Sequence, residues 1–137
     1  MTENRVSGQG EIVMPDYHLT KCELEVMDVV WKQEEATVHD VVNNLKRPLA
    51  YTTVMTTLKI LCEKRQVVTK SKRGRAFVYS PTVTRHQVSQ HLAGELTESL
   101  FGGSVKSMVL SLLGSDSMSA DDINELKAAI RKLEESE

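Results

Sequence analysis

A cluster of short hydroxyl side chains is the feature of this chain best suited to chemistry at a surface. Tyr51, Thr52, Thr53, Met55, Thr56, Thr57 and Lys59 share one face of a helical period, opposite an apolar stripe of Val54, Leu58 and Leu61 with Ile60 and Cys62 at its margins. Threonine lowers helix propensity, and a face that met only solvent would favour Glu, Lys or Gln. Short hydroxyls and methyls instead suit a surface that must approach another molecule closely. Hydroxyls of Thr52, Thr53 and Thr56 can reach phosphates or base edges, and their methyls can meet a thymine methyl. Tyr51 and Lys59 would flank them as contacts to a sugar–phosphate backbone.

The charge distribution points the same way. Residues 45–82 hold nine basic groups against Glu63 alone, a local charge of +8, whereas residues 1–44 carry −6 and residues 83–137 carry −4. The formal net charge of −2 hides this segregation. A basic block inside an otherwise acidic chain suggests an anionic polymer as partner, and a solvated basic face is the plain alternative. Lys72, Arg73 and Arg75 crowd the end of this block, where they would lie along phosphates or an adjacent minor groove.

Elements able to position these groups can be read from the periods. Residues 1–18 show no helical or strand period and read as a flexible tail. Thr20 to Glu23 form a capping box, with Leu19 and Leu24 at the staple positions. The helix it opens runs to about Trp31 and is expected to bury Leu24, Met27, Val30 and Trp31. Thr37 and Asp40 start a short second helix with Val38, Val41, Val42 and Leu45 as its stripe, and Pro48 marks the linker after it. The threonine-bearing third helix spans about 50–64. Two β-prone runs, 67–71 and 76–80, follow, joined by Lys72-Arg73-Gly74-Arg75 as a Gly-containing hairpin turn. Phe77 and Tyr79 read as core or hairpin-packing groups. Three helices followed by a basic hairpin are the winged helix–turn–helix arrangement.

Beyond Pro81 the chain returns to helix. Val88, Leu92, Leu96 and Leu100 share a stripe; Gly102-Gly103 interrupt it; Val105, Met108, Val109, Leu112 and Leu113 form a second apolar face. Ile123, Leu126, Ile130 and Leu133 form a third, after a helix start at Ser119. About 55 residues of short amphipathic helix enclose little apolar surface alone, so pairing with a second copy is expected, with packing onto the first domain as the alternative. The fold class is mainly α with a small β-hairpin: a tail at 1–18, a winged-helix DNA-binding domain at 19–82 and a helical dimerisation domain at 83–137.

These residues resemble the BlaI/MecI family of penicillinase and methicillin-resistance repressors. The resemblance is carried by Leu19-Thr20 with Glu23, Val26-Met27, Trp31, Ala36-Thr37-Val38, Val41-Val42, Ala50-Tyr51-Thr52-Thr53-Val54 with Thr56, Gly74 to Pro81, and Leu100 to Ser104. It covers nearly all of 19–135. It implies a homodimeric transcriptional repressor binding double-stranded DNA at a palindromic operator, relieved by proteolysis or loss of dimerisation, with a membrane-bound sensor peptidase as a further partner. Family cleavage falls before the Phe of Phe-Gly-Gly, after an Asn; the corresponding bond here is Leu100–Phe101. Family members usually carry Lys-Gly after the third helix, where this chain has Lys64-Arg65. An Arg in the left-handed cap conformation would cost about 1 kcal/mol, so a rearranged helix end is expected.

Other chemistry finds little support. Cys22 and Cys62 lie on different helices without ligand spacing and read as small core thiols. His86 and His91 are five apart and do not share a helix face as zinc ligands would. Asp121 and Asp122 read as first-turn charges. Neither an enzyme motif, a cofactor, a metal site nor a small-molecule substrate is expected. The longest apolar run, Ala76 to Tyr79, argues against a membrane span or secretory signal, and two cysteines fit a reducing cytoplasm. A winged-helix module that binds protein, carrying a basic wing only incidentally, is the competing function.

Overall fold

A computed structural model describes residues 5–6, 12–114 and 118–136. They form two compact units, Met1–Ala93 and Gly94–Glu137. The first opens with a two-stranded antiparallel pair, β1 (Arg5–Val6) and β2 (Ile12–Val13), where the sequence showed no strand period. Residues 14–18 depart further from the expected tail. Tyr17 is buried in the core, and the Asp16 N–H donates to the Arg65 carbonyl at 2.8 Å.

Helix α1 (Lys21–Gln33) starts at the capping box: the Glu23 N–H donates to the Thr20 hydroxyl at 3.2 Å, and the Thr20 N–H to the Glu23 carboxylate at 2.9 Å. Its buried residues include Val26, Met27, Val29 and Val30, while Leu24 and Trp31 are only half-buried. The buried face is rotated from the expected one because α1 meets two helices and a strand at once. Trp31 sits at the margin, its indole N–H donating to the Val83 carbonyl at 2.9 Å. Helix α2 (Val38–Asn44) has its own capping box, Thr37 with Asp40. Helix α3 (Tyr51–Glu63) buries Val54, Thr57, Leu58 and Leu61. Thr57 therefore leaves the exposed face; its hydroxyl donates to the Thr53 carbonyl one turn back, at 2.8 Å.

The left-handed residue after α3 is Gln66 (φ 58°), not Arg65. Arg65 stays outside the left-handed region and its N–H closes on the Ile60 carbonyl at 3.0 Å; past Gln66, the Val67 N–H reaches Leu61 at 3.0 Å. Strands β3 (Val68–Arg73) and β4 (Ala76–Pro81) pair antiparallel, with Arg73 opposite Ala76. Lys72 and Arg73 thus belong to the strand, and the turn shrinks to Gly74-Arg75. Gly74 has φ +67°, the position of a two-residue hairpin where a Cβ is costly. Ala36 adds a bridge to β4, exchanging both backbone bonds with Tyr79 at 2.9 and 2.8 Å.

Helix α4 (Arg85–Phe101) begins inside the first unit. Val83 and Val88 are in its core and Leu92 packs against it, so the core runs past the expected boundary at 82. Within the second unit, α5 (Val105–Leu113) and α6 (Ala120–Glu135) contain no buried residue. Thr97 on α4 is buried there and donates to the Met108 sulfur at 3.0 Å.

Candidate nucleic-acid interface

Along α3 the helical period sets Thr52, Thr56 and Lys59 outward, with Tyr51 and Met55 toward the hairpin and Thr53 turned to the opposite flank. Tyr51, Met55, Thr56 and Lys59 form one wall of a groove of about 550 Å³. Lys70, Arg75, Ala76, Phe77 and Tyr79 of the hairpin form the other, and Thr37, Val38 and His39 of the α2 start close one end. Thr52 and Thr53 do not line it. Three cations and no carboxylate line this groove, which gives it the sign an anionic strand requires.

The hairpin splits the two aromatics. Tyr79 is buried in the core, and burial pushes its phenol above the usual range. Phe77 is 45% exposed, with the Lys70 ammonium 4.7 Å above its ring, so it is groove surface rather than core. His39, whose ring lies 4.9 Å from that of Tyr51, joins the site without having stood out in the sequence, beside the half-exposed Met55 of the α3 face. Only the tertiary approach of α2 to α3 brings His39 there.

The basic residues fall into two groups. Arg47 holds Glu25 through both guanidinium bonds, at 2.6 and 2.9 Å, and keeps that carboxyl below its ordinary pKa. Arg65 bridges Asp16 at 2.5 Å and Glu23 at 3.2 Å. Arg73 grips Glu35 at 2.9 and 3.0 Å and lowers its pKa likewise. Lys59, Lys72 and Arg75 carry no ion pair among the described residues. Of the residues expected on DNA, Arg73 is therefore already occupied, and Arg75 and Lys59 face the groove.

The residues expected at a dimer contact divide as well. Val88 is 3% exposed and half-buried Leu92 packs on the same core, so the surface these two contribute is already covered within the first unit. Leu96, Leu100, Val105, Val109, Leu112, Ile123, Leu126 and Ile130 are all exposed, and Met108 is half-buried. Leu100 is 70% exposed and Phe101 half-buried, at the last turn of α4 before Gly102-Gly103. Cys22 and Cys62 are half-buried free thiols, the latter pushed up in pKa by burial. No helix among the described residues is long and apolar enough to cross a membrane.

Three helices carrying a cationic two-stranded hairpin beside a hydroxyl-faced third helix define a winged helix–turn–helix protein. A family model described as penicillinase repressor matches residues 19–132. The penicillinase repressor of Bacillus licheniformis is 31% identical over 110 residues, covering 79% of this chain and 85% of its own. The methicillin resistance regulatory protein MecI of Staphylococcus aureus (strain N315) is 22% identical over 121 residues, 85% and 95% of the two chains. Among solved structures, the DNA-binding domain of the repressor BlaI aligns with TM-score 0.47 and 31% identity, covering 53% of this chain and 90% of that one. The chain belongs to the BlaI/MecI family of penicillinase repressors, DNA-binding regulators of transcription.

Proposed function

We propose that this protein is a sequence-specific repressor that binds a palindromic operator as a homodimer. In this reading α3 enters the major groove with Thr52 and Thr56 toward base edges. Lys59, Lys72 and Arg75 neutralise phosphates, the Tyr51 hydroxyl donates to one, and Thr53, on the far flank, reaches the backbone. The observation that carries the reading is the groove between α3 and the hairpin, lined by Lys59, Lys70 and Arg75 without an opposing carboxylate. A strand of duplex DNA supplies the charge and width that such a groove takes.

The dimer follows from the second unit. α5 and α6 bury nothing in a single chain although they carry Val105, Val109, Leu112, Ile123, Leu126 and Ile130. A two-fold copy would cover those faces and set two reading heads at the spacing of half-sites, about 34–36 Å or a multiple. Relief of repression by cleavage at Leu100–Phe101, by a membrane-bound sensor peptidase, and a cytoplasmic location complete the reading. The exposure of Leu100 and the adjacent Gly102-Gly103 break support the cleavage point.

The test is retardation of promoter fragments by the full chain under excess competitor DNA, followed by protection footprinting. Two protected half-sites related by a dyad are the expected result. No preference for any promoter over bulk DNA, with the chain captured by a protein partner instead, would replace this reading with a protein-binding wing.

A further inference from the structure

We propose that Arg73 and Glu35 form a positioning pair that fixes the angle of the hairpin, and that Arg73 is not a phosphate ligand. The inference rests on the DNA-binding reading given above. Both oxygens of Glu35 meet the two terminal nitrogens of Arg73, at 2.9 and 3.0 Å, the parallel geometry that makes an arginine–carboxylate pair directional. The backbone around Glu35 is held on both sides. Glu34 turns the chain out of α1 with φ 67°, and Ala36 exchanges two hydrogen bonds with Tyr79 of the hairpin.

The hairpin is therefore attached twice to the segment leaving α1, at its middle through Ala36–Tyr79 and at its tip through Glu35–Arg73. A two-stranded ribbon attached at its middle alone can swing its tip. The second attachment removes that freedom where it matters, because Arg75 lies just across the Gly74 turn from Arg73 and must point into the groove shared with Lys59. Both partners are exposed, so the pair adds little to global stability. Its consequence lies in where it holds Arg75.

Arginines two residues apart should consequently behave differently. Salt dependence of DNA binding by the full-length protein separates them, since each phosphate contact contributes about 0.9 to the slope of log affinity against log salt. Arg75→Gln is expected to flatten the slope by about 0.9 per protomer. Arg73→Gln is expected to leave the slope unchanged and to weaken operator binding about two- to five-fold, the modest effect of losing an exposed ion pair. The reversed pair, Glu35→Arg with Arg73→Glu, should recover the operator affinity that Arg73→Glu alone loses. An unchanged thermal midpoint for each variant keeps the comparison about positioning.

Equal flattening by Arg73→Gln and Arg75→Gln, or no recovery in the reversed pair, overturns the proposal and makes Arg73 a phosphate ligand. No effect of Arg73→Gln on operator binding overturns it too. If the unmodified protein shows no operator preference at all, the DNA-binding reading fails before this comparison is reached.

Discussion

Replacing Arg65 with Gln tests whether a residue counted in the basic block serves DNA or the fold. Its side chain is 14% exposed and bridges Asp16, ahead of α1, to Glu23, the capping-box carboxylate, itself 7% exposed. Breaking a fully buried pair costs about 3–5 kcal/mol because the surviving charge is stranded. Glu23 keeps one donor, the Thr20 N–H at 2.9 Å, and Asp16 lies open to water on one side, so the loss here should be about 2–3 kcal/mol. Urea unfolding of the full chain, followed by fluorescence of the single tryptophan, Trp31, reports this on the first unit. The Asp16 carboxyl is lowered to about 2, first by the His18 N–H at 3.0 Å and also by Arg65. A depressed carboxyl stabilises the fold above its unfolded value of 3.8, and that contribution disappears as pH falls toward 2. Screening at a group this exposed limits it to about 1 kcal/mol. Arg65→Gln should shift this acid loss to higher pH without abolishing it, because His18 remains. A cost below about 1 kcal/mol at neutral pH, together with a flattened salt dependence of DNA binding, would refute the assignment of Arg65 to the fold.

Three further outcomes are expected. Thr56→Ala should lower the ratio of operator to random-DNA affinity by about 1 kcal/mol in a competition assay, and equal loss on both would make Thr56 a backbone contact. Gln66→Gly should stabilise the first unit by about 0.5 kcal/mol, the 1–2 kcal/mol relief of the left-handed backbone less the entropy of an added glycine; the Thr82 hydroxyl, 3.0 Å from the residue 66 carbonyl, keeps its partner. Destabilisation in a thermal melt would contradict that account. Leu126→Lys on α6 should weaken self-association by about 2 kcal/mol per substituted chain while leaving the unfolding of the first unit in place, and sedimentation across a concentration series reads this directly.

Much of the first unit was legible because its signals are local. Capping boxes at Thr20 and Thr37, the Val54-Leu58-Leu61 stripe and the glycine-centred hairpin depend on residues a few positions apart, and the structure contains all of them. Errors arose where distant segments meet. Tyr17 lies in what read as tail, yet it packs in the core that Val83 and Val88 extend. Thr57 looked like a fourth exposed threonine until α1 covered that flank; its neighbour across the contact is Cys22, 3.9 Å away. The helix end is rearranged as the Lys64-Arg65 departure predicts, with Gln66 left-handed, but the two carboxylates that hold Arg65 come from distant segments that no local pattern encodes. His39 and Phe77 entered the groove for the same reason.

The charge segregation along the sequence acquires a different meaning once the chain is folded. Three of the four arginines between 45 and 82 are paired, and every partner comes from the acidic segment before residue 45: Glu25 with Arg47, Asp16 and Glu23 with Arg65, Glu35 with Arg73. Four of the nine carboxylates in that segment are thus the complement of the basic block rather than an independent acidic surface. The division by residue type is physical. Guanidinium forks suit directional, bidentate pairing and tolerate partial burial, whereas an ammonium is a mobile, strongly hydrated point charge. Lys46, Lys59, Lys64, Lys70 and Lys72 carry no ion pair among the described residues, and Arg75 is the one arginine of the block that joins them. Six cations of this block are thus left unpaired among the described residues rather than the nine that sequence charge counts, and Arg75 is the only one among them able to make a forked contact.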